Sequence, residues 1–204
     1  MKKTVLKDIS IAMVLSLLFS LAAAFSHFNT ACEDMRANVL RLHIIANSDS
    51  GEDQAIKLAV RDAILESSKE IFKESNDLDS AIACAGKSLP YITDIANGVL
   101  KSGGFSYMAN AVIGDSYFET REYDDFTLPA GTYKSLIVRL GKSAGHNWWC
   151  VIYPGVCLSC ASNAKLEDSV KKTSADIAKN SKKYVMRFKS VEIYEDIKKK
   201  FSGK

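Results

Sequence analysis

Hydrophobic and polar positions along this chain follow two rhythms. In NVLRLHIIA (38–46) they alternate, which predicts a strand with Leu42, Ile44 and Ala46 on one face and Arg41, His43 and Ile45 on the other. After Asn47-Ser48-Asp49-Ser50 the period lengthens. Ile56, Ala59, Val60, Ala63 and Ile64 recur at three and four, predicting a helix over about 51–72 with one buried stripe. A second helix is expected over 78–89. Pro90 opens a third, which runs to about Leu100 and stops at Gly103-Gly104. The period then falls to two, predicting strands over 105–113, 117–123, 135–140 and 148–153, separated by Gly-Asp, Pro-Ala-Gly and a polar glycine-containing loop. Residues 165–180 read as a helix and 184–188 as a short strand. Residues 189–201 read as a closing helix with Val191, Ile193, Tyr194 and Ile197 inward. This order implies an α+β fold in one domain: an N-terminal strand, a helical block, a mostly antiparallel strand-rich half and C-terminal helices. Periodicity leaves open whether the first strand joins the later sheet.

The first segment stands apart. MKKTVLKD carries three lysines, and ISIAMVLSLLFSLAAAF (9–25) is a run of 17 uncharged residues. Ala22 and Ala24 supply the small side chains of a cleavage site after Ala24. Basic start, apolar run and small-residue exit form a secretory signal over 1–24. As a helix the run measures about 25 Å against a hydrocarbon core of about 30 Å, so a signal is the better reading; left uncleaved, it would anchor the chain. Asn29-Thr30-Ala31 before Cys32 lacks the apolar opening of a lipoprotein box. The domain 25–204 is therefore expected outside the cytoplasmic membrane.

Export changes the charge reading. The formal charge of +3 owes much to the lysines of the first segment. The exported remainder is polarised: residues 165–204 hold 12 basic and 6 acidic side chains, which reads first as a solvated lysine-rich terminal helix and otherwise as a contact for an anionic membrane surface or an acidic partner. The body has no interleaved arginines and aromatics of the nucleic-acid-binding kind.

Chemistry-bearing residues concentrate in RLHIIANSDSGEDQ (41–54). Part of this is capping. Ser50 is a good N-cap for the helix starting at Gly51, and Asp53, three residues on, can reach back in an approximate capping box. Arg41, His43, Asn47, Ser48 and Asp49 exceed what a cap requires. A hydrolase built on His43, Ser48 and Asp49 would want glycines flanking its nucleophile, and neither Ser48 nor Ser50 has them. His43, Asp49 and Asp53 do not have metal-ligand spacing. No catalytic residue, metal or cofactor is expected from this cluster.

In an exported chain cysteines default to disulfides. If 153–156 form a turn, Cys150 and Cys157 share a face two residues off register, which makes Cys150–Cys157 the preferred pair and Cys157–Cys160 the runner-up. Cys157-Leu158-Ser159-Cys160 has redox-motif spacing without a clear strand-to-helix setting. Trp148 and Trp149 should place one indole on each side of a strand, and an exposed one would be a candidate interface anchor.

Three stretches taken together, RLHIIANSDSGEDQAIKLAVRDAIL, ANAVIGDSYFETREYDDFTLPAGTYKSL and GHNWWCVIYPGVC, resemble the stage II sporulation protein R family. The resemblance covers about 38–160 and is loose beyond Cys160. It implies a protein exported from the forespore into the space between forespore and mother-cell membranes. There it would activate a membrane-embedded aspartic protease that processes pro-sigma-E. It also leaves two readings for Arg41, His43, Asn47, Ser48 and Asp49: a partner-binding surface with Asp49 at its exposed apex, or a structural hydrogen-bond network under the helix start.

Overall fold

The N-terminal strand lies inside the sheet. In the computed structural model, which describes residues 2–123, 126–154 and 169–201, β1 (Leu40–Ile45) is flanked by two strands from the far end of the chain. These are β5 (Gly131–Leu140), paired with it in parallel, and β6 (Asn147–Tyr153), paired antiparallel. Completing the sheet is β2 (Ala109–Phe118), antiparallel to β5, for a strand order β2-β5-β1-β6. A parallel neighbour needs a long crossover. Three helices supply it: α2 (Gly51–Ile71), α3 (Leu78–Lys87) and α4 (Leu89–Ser102). A two-stranded ribbon, β3 (Arg121–Glu122) and β4 (Thr127–Leu128), joins β2 to β5.

Alternation along β1 divides the protein into three layers. Leu40, Leu42 and Ile44 point to one face, where they meet Val60 and Ile64 of α2, Ala81 and Ala85 of α3, and Ile92, Ala96 and Leu100 of α4. The opposite face is covered by the C-terminal half of α1 (Lys2–Ala37), by α5 (Lys172–Lys179) and by α6 (Val185–Phe201). Phe28, Cys32 and Met35 of α1 pack there with Phe118, Tyr133, Phe188 and Val191. Side chains of α1 from Val5 to Ala24 are exposed, whereas those at Phe28, Ala31, Cys32 and Met35 are buried. The apolar start of α1 therefore suits a signal or an anchor, and its end is part of the folded core.

Four expectations need correction. Gly114-Asp115 is not a turn: β2 runs straight through it because Gly114 pairs with Ser135 and Asp115 with Lys134, whose ammonium lies 2.9 Å from the Asp115 carboxylate. Residues 184–188 are not a strand, since α6 begins at Val185 and Phe188 packs edge-on to Phe28 with ring centroids 5.2 Å apart. The inward face of α6 is Phe188, Val191 and Glu195, and Ile193, Tyr194 and Ile197 are exposed. In α2 the buried stripe is Asp53, Lys57, Val60, Ile64, Leu65 and Ser68, whereas Ala59 is exposed. Two charged residues occupy positions that periodicity assigns to apolar ones. Residues 165–168, and the expected turn beyond Pro154, lie outside the described residues.

Candidate functional site

The joint between β1 and α2 is built by two distant segments. One is Ala46 to Asp53; the other is the β5–β6 loop, 141–146. The loop lies along the joint through backbone bonds, Gly145 N–H to the Ala46 carbonyl at 3.0 Å and Ala144 N–H to the Asn47 carbonyl at 3.2 Å. Lys142 N–H donates to Asn47 Oδ1 at 2.9 Å. Two glycines permit this approach. Gly141 has φ +53 and Gly145 sits so close that a Cβ there would run into the Ser48 carbonyl.

Beneath the loop, Asp53 is a hub. Its carboxylate accepts from Asn47 Nδ2 at 2.8 Å, Ser48 Oγ at 2.5 Å and the Tyr107 hydroxyl, and the residue is buried. Burial works to raise its pKa, but the hydrogen bonds from Ser48, Tyr107, Asn47 and Ser50 outweigh it and hold the carboxyl below its ordinary value. Ser50 is the N-cap, with its Oγ accepting from Asp53 N–H at 3.2 Å. The reach-back of a capping box comes from elsewhere: Ser50 N–H donates to Ser48 Oγ at 3.2 Å, which frees Asp53 for the hub. Lys57, also buried, donates to the His146 carbonyl at 3.0 Å and to Gln54 Oε1 at 2.5 Å. Burial lowers its pKa, and the charge of Asp49 opposes that shift.

Above this floor is an exposed rim. Asp49 Oδ1 accepts from His146 N–H at 2.6 Å and lies 2.5 Å from His146 Nδ1, with the two side chains 54% and 79% exposed. The bond from the His146 ring, then the one from its backbone, holds the Asp49 carboxyl below its usual range.

Arg41 and His43 are not part of this joint. They occupy the opposite face of β1. Arg41 is wholly buried, its guanidinium 4.1 Å from the Phe118 ring centroid and 5.0 Å from that of Tyr133. It donates to the Cys150 carbonyl at 3.2 Å and to the Tyr123 hydroxyl at 2.9 Å. A surface role for Arg41 is thus corrected to a core one. His43 is half-buried, between Ser116 Oγ at 3.2 Å from Nδ1 and Asn147 Oδ1 at 3.1 Å from Nε2. Burial lowers its pKa, only partly offset by the Asn147 bond. The sheet therefore separates His43 from Ser48 and Asp49, and the three do not assemble as a hydrolase triad.

The two tryptophans lie on opposite faces, as alternation predicts. Trp148 packs with the α2–α4 core under the Arg61 guanidinium, 4.3 Å away, and Trp149 packs beside His43 and Phe118. Both are half-buried, so neither is a projecting anchor. Cys150 is buried, but Cys157 and Cys160 lie outside the described residues, which leaves the expected pairing as an expectation.

Periodicity and motif spacing missed Lys57, Tyr107 and the loop glycines. The signal for the loop was present in GKSAGH, whose two glycines bracket the segment that lies on the joint.

Residues 36–163 match the family described as Stage II sporulation protein R. Over 126 residues the chain is 32% identical to Stage II sporulation protein R of Bacillus subtilis (strain 168), a match spanning 62% of this chain and 56% of that protein. No solved structure matches the chain. The matched region contains both segments of the joint, the strand that centres the sheet, and the Arg41 cluster. The chain belongs to the stage II sporulation protein R family.

Proposed function

We propose that this sporulation protein acts outside the forespore membrane as a signalling ligand, activating a membrane-embedded aspartic protease that processes pro-sigma-E in the mother cell. The observation that carries the reading is the division of the joint into a satisfied floor and an exposed rim. Ser48 donates its hydroxyl hydrogen bond to Asp53 and is not placed as a nucleophile, while Asp49 and His146 present a carboxylate and an imidazole to solvent. Such a surface suits recognition. The apolar start of α1, which fits a signal or an anchor, supports export.

The test is co-expression of the chain with the protease and pro-sigma-E in a non-sporulating host. Processing that depends on this chain, and is reduced by Asp49→Ala or His146→Ala, supports the reading. Processing indifferent to the chain overturns it.

A hydrolytic reading would need other residues than Ser48 and Asp49. The hydroxyl that does meet His43 is Ser116, and Asn147 holds the far ring nitrogen. Ser116→Ala separates the readings: a ligand keeps its signalling, a hydrolase does not.

A further inference from the structure

The face of α6 turned away from the domain is apolar. Met186, Ile193, Tyr194, Ile197 and Phe201 are all exposed, Met186 by 80% and Phe201 by 88%. At 3.6 residues per turn these positions fall in one stripe about 100° wide. The stripe is nearly opposite Phe188, Val191 and Glu195, the side by which α6 packs on the protein. Cations border it on both sides. Lys189 and Lys200 follow one edge, and Arg187 and Lys198 the other.

Acidic residues keep to the inner half. Glu195 faces Arg36 at 3.5 Å, Asp196 accepts from the Tyr117 hydroxyl at 2.8 Å, and Glu192 is held by Lys189 at 2.9 Å. An apolar stripe between cationic edges, with the acids rotated away, is how a helix lies in the headgroup region of an anionic bilayer. Its place in the fold agrees. Tyr194 packs edge-on against Phe25, ring centroids 5.6 Å apart, where the exposed apolar run of α1 meets the folded domain. The exposed apolar run of α1 and the outer stripe are thus adjacent.

We infer that α6 is an interfacial helix, seated stripe-down on an anionic lipid surface beside the point where α1 leaves the domain. This goes beyond the proposed activation and does not depend on it. Seating the domain this way would fix which face of the joint points away from the membrane.

Depth of α6 in the bilayer is the readout, because α1 alone can hold the full chain on vesicles. The full-length protein is reconstituted into phosphatidylglycerol–phosphatidylcholine vesicles carrying brominated lipid. Phe201→Trp and Met186→Trp each add an indole on the stripe, and Leu58→Trp adds one on exposed α2. Emission added by the two α6 indoles should shift to the blue and be lost to bromine quenching, while that of the Leu58→Trp indole is not. The double variant Lys189→Glu/Lys200→Glu, or vesicles of phosphatidylcholine alone, should return the α6 indoles to water. Since every changed side chain is exposed, circular dichroism should show the parent fold. Unquenched α6 indoles in anionic vesicles overturn the inference, as does quenching that ignores both lipid charge and the lysines. Protection that arises only when the protease is added also overturns it, and marks the stripe as a protein-docking face.

Discussion

Asp49 and Asp53 stand one helical turn apart in sequence and in opposite circumstances. Asp53 is buried, with three side-chain donors on its carboxylate; Asp49 is exposed, held closely by His146 and at 3.5 Å by Gln54. The buried acid holds the joint together, because removing it takes the common acceptor from three donors that are themselves partly buried. The exposed acid can be lost without such a cost, which leaves it available for recognition. The same contrast runs across β1, where Arg41 is enclosed by aromatic rings and His43 is half open. Within this one motif, burial separates the residues that keep the fold from those that can meet a partner.

The sharpest way to break that division is Arg41→Ala. It opens a cavity between Phe118 and Tyr133 and removes the donors to the Cys150 carbonyl and Tyr123. A loss of about 4 kcal/mol is expected, read as a fall in denaturation midpoint. Asp53→Ala should come next at about 3 kcal/mol, since Asn47, Ser48 and Tyr107 lose their common acceptor. For a domain of this size that corresponds to roughly 6–12 °C in melting temperature. If Asp53→Ala melts with the parent, the floor does not hold the joint; if Arg41→Ala does, the buried guanidinium does not hold the fold.

The half-buried histidine gives a pH test. Its pKa is lower in the folded state than the ordinary 6.5, so the unfolded chain takes up the proton more readily. The stability due to neutral His43 is complete above that ordinary value. It is lost as pH falls through 6.5 toward the folded pKa. Melting temperature should therefore decline between about pH 7 and pH 5, and His43→Gln should flatten the decline. An equal slope in the variant assigns the effect to other groups.

Ser50→Ala removes the N-cap and should cost about 1 kcal/mol while leaving pro-sigma-E processing intact in the folded fraction. The smallest effect on stability is expected at the rim. Asp49→Ala should melt with the parent within replicate scatter and still reduce processing in the co-expression assay. If signalling falls only in variants that also lose stability, the rim has no role distinct from the floor.

Much of this was legible before the fold. The hydropathy rhythm of 38–46 marks β1, and Ser50 sits where α2 begins, accepting a backbone N–H three residues on. Such features are local: a few consecutive residues decide them, through strand alternation and the orphan N–H groups of a helix start. The errors fall where a partner distant in sequence decides. Asp53 read as part of a helix cap and Lys57 drew no reading, and their burial is completed by Tyr107 and the His146 carbonyl, far along the chain.

By itself, the sequence determined the α+β class, the apolar N-terminal run, the Ser50 cap, the opposed tryptophans and the stretches that carry the family resemblance. All rest on interactions between near neighbours or on plain residue identity. Only the tertiary structure decided that β1 sits between β5 and β6, that the sheet divides Arg41 and His43 from the joint, and that the apolar stripe of α6 points outward. Helical periodicity says that a stripe exists but not which side the rest of the chain will cover. On α6 the cover went to Phe188 and Val191, because the aromatic side chains of α1 were there to meet them.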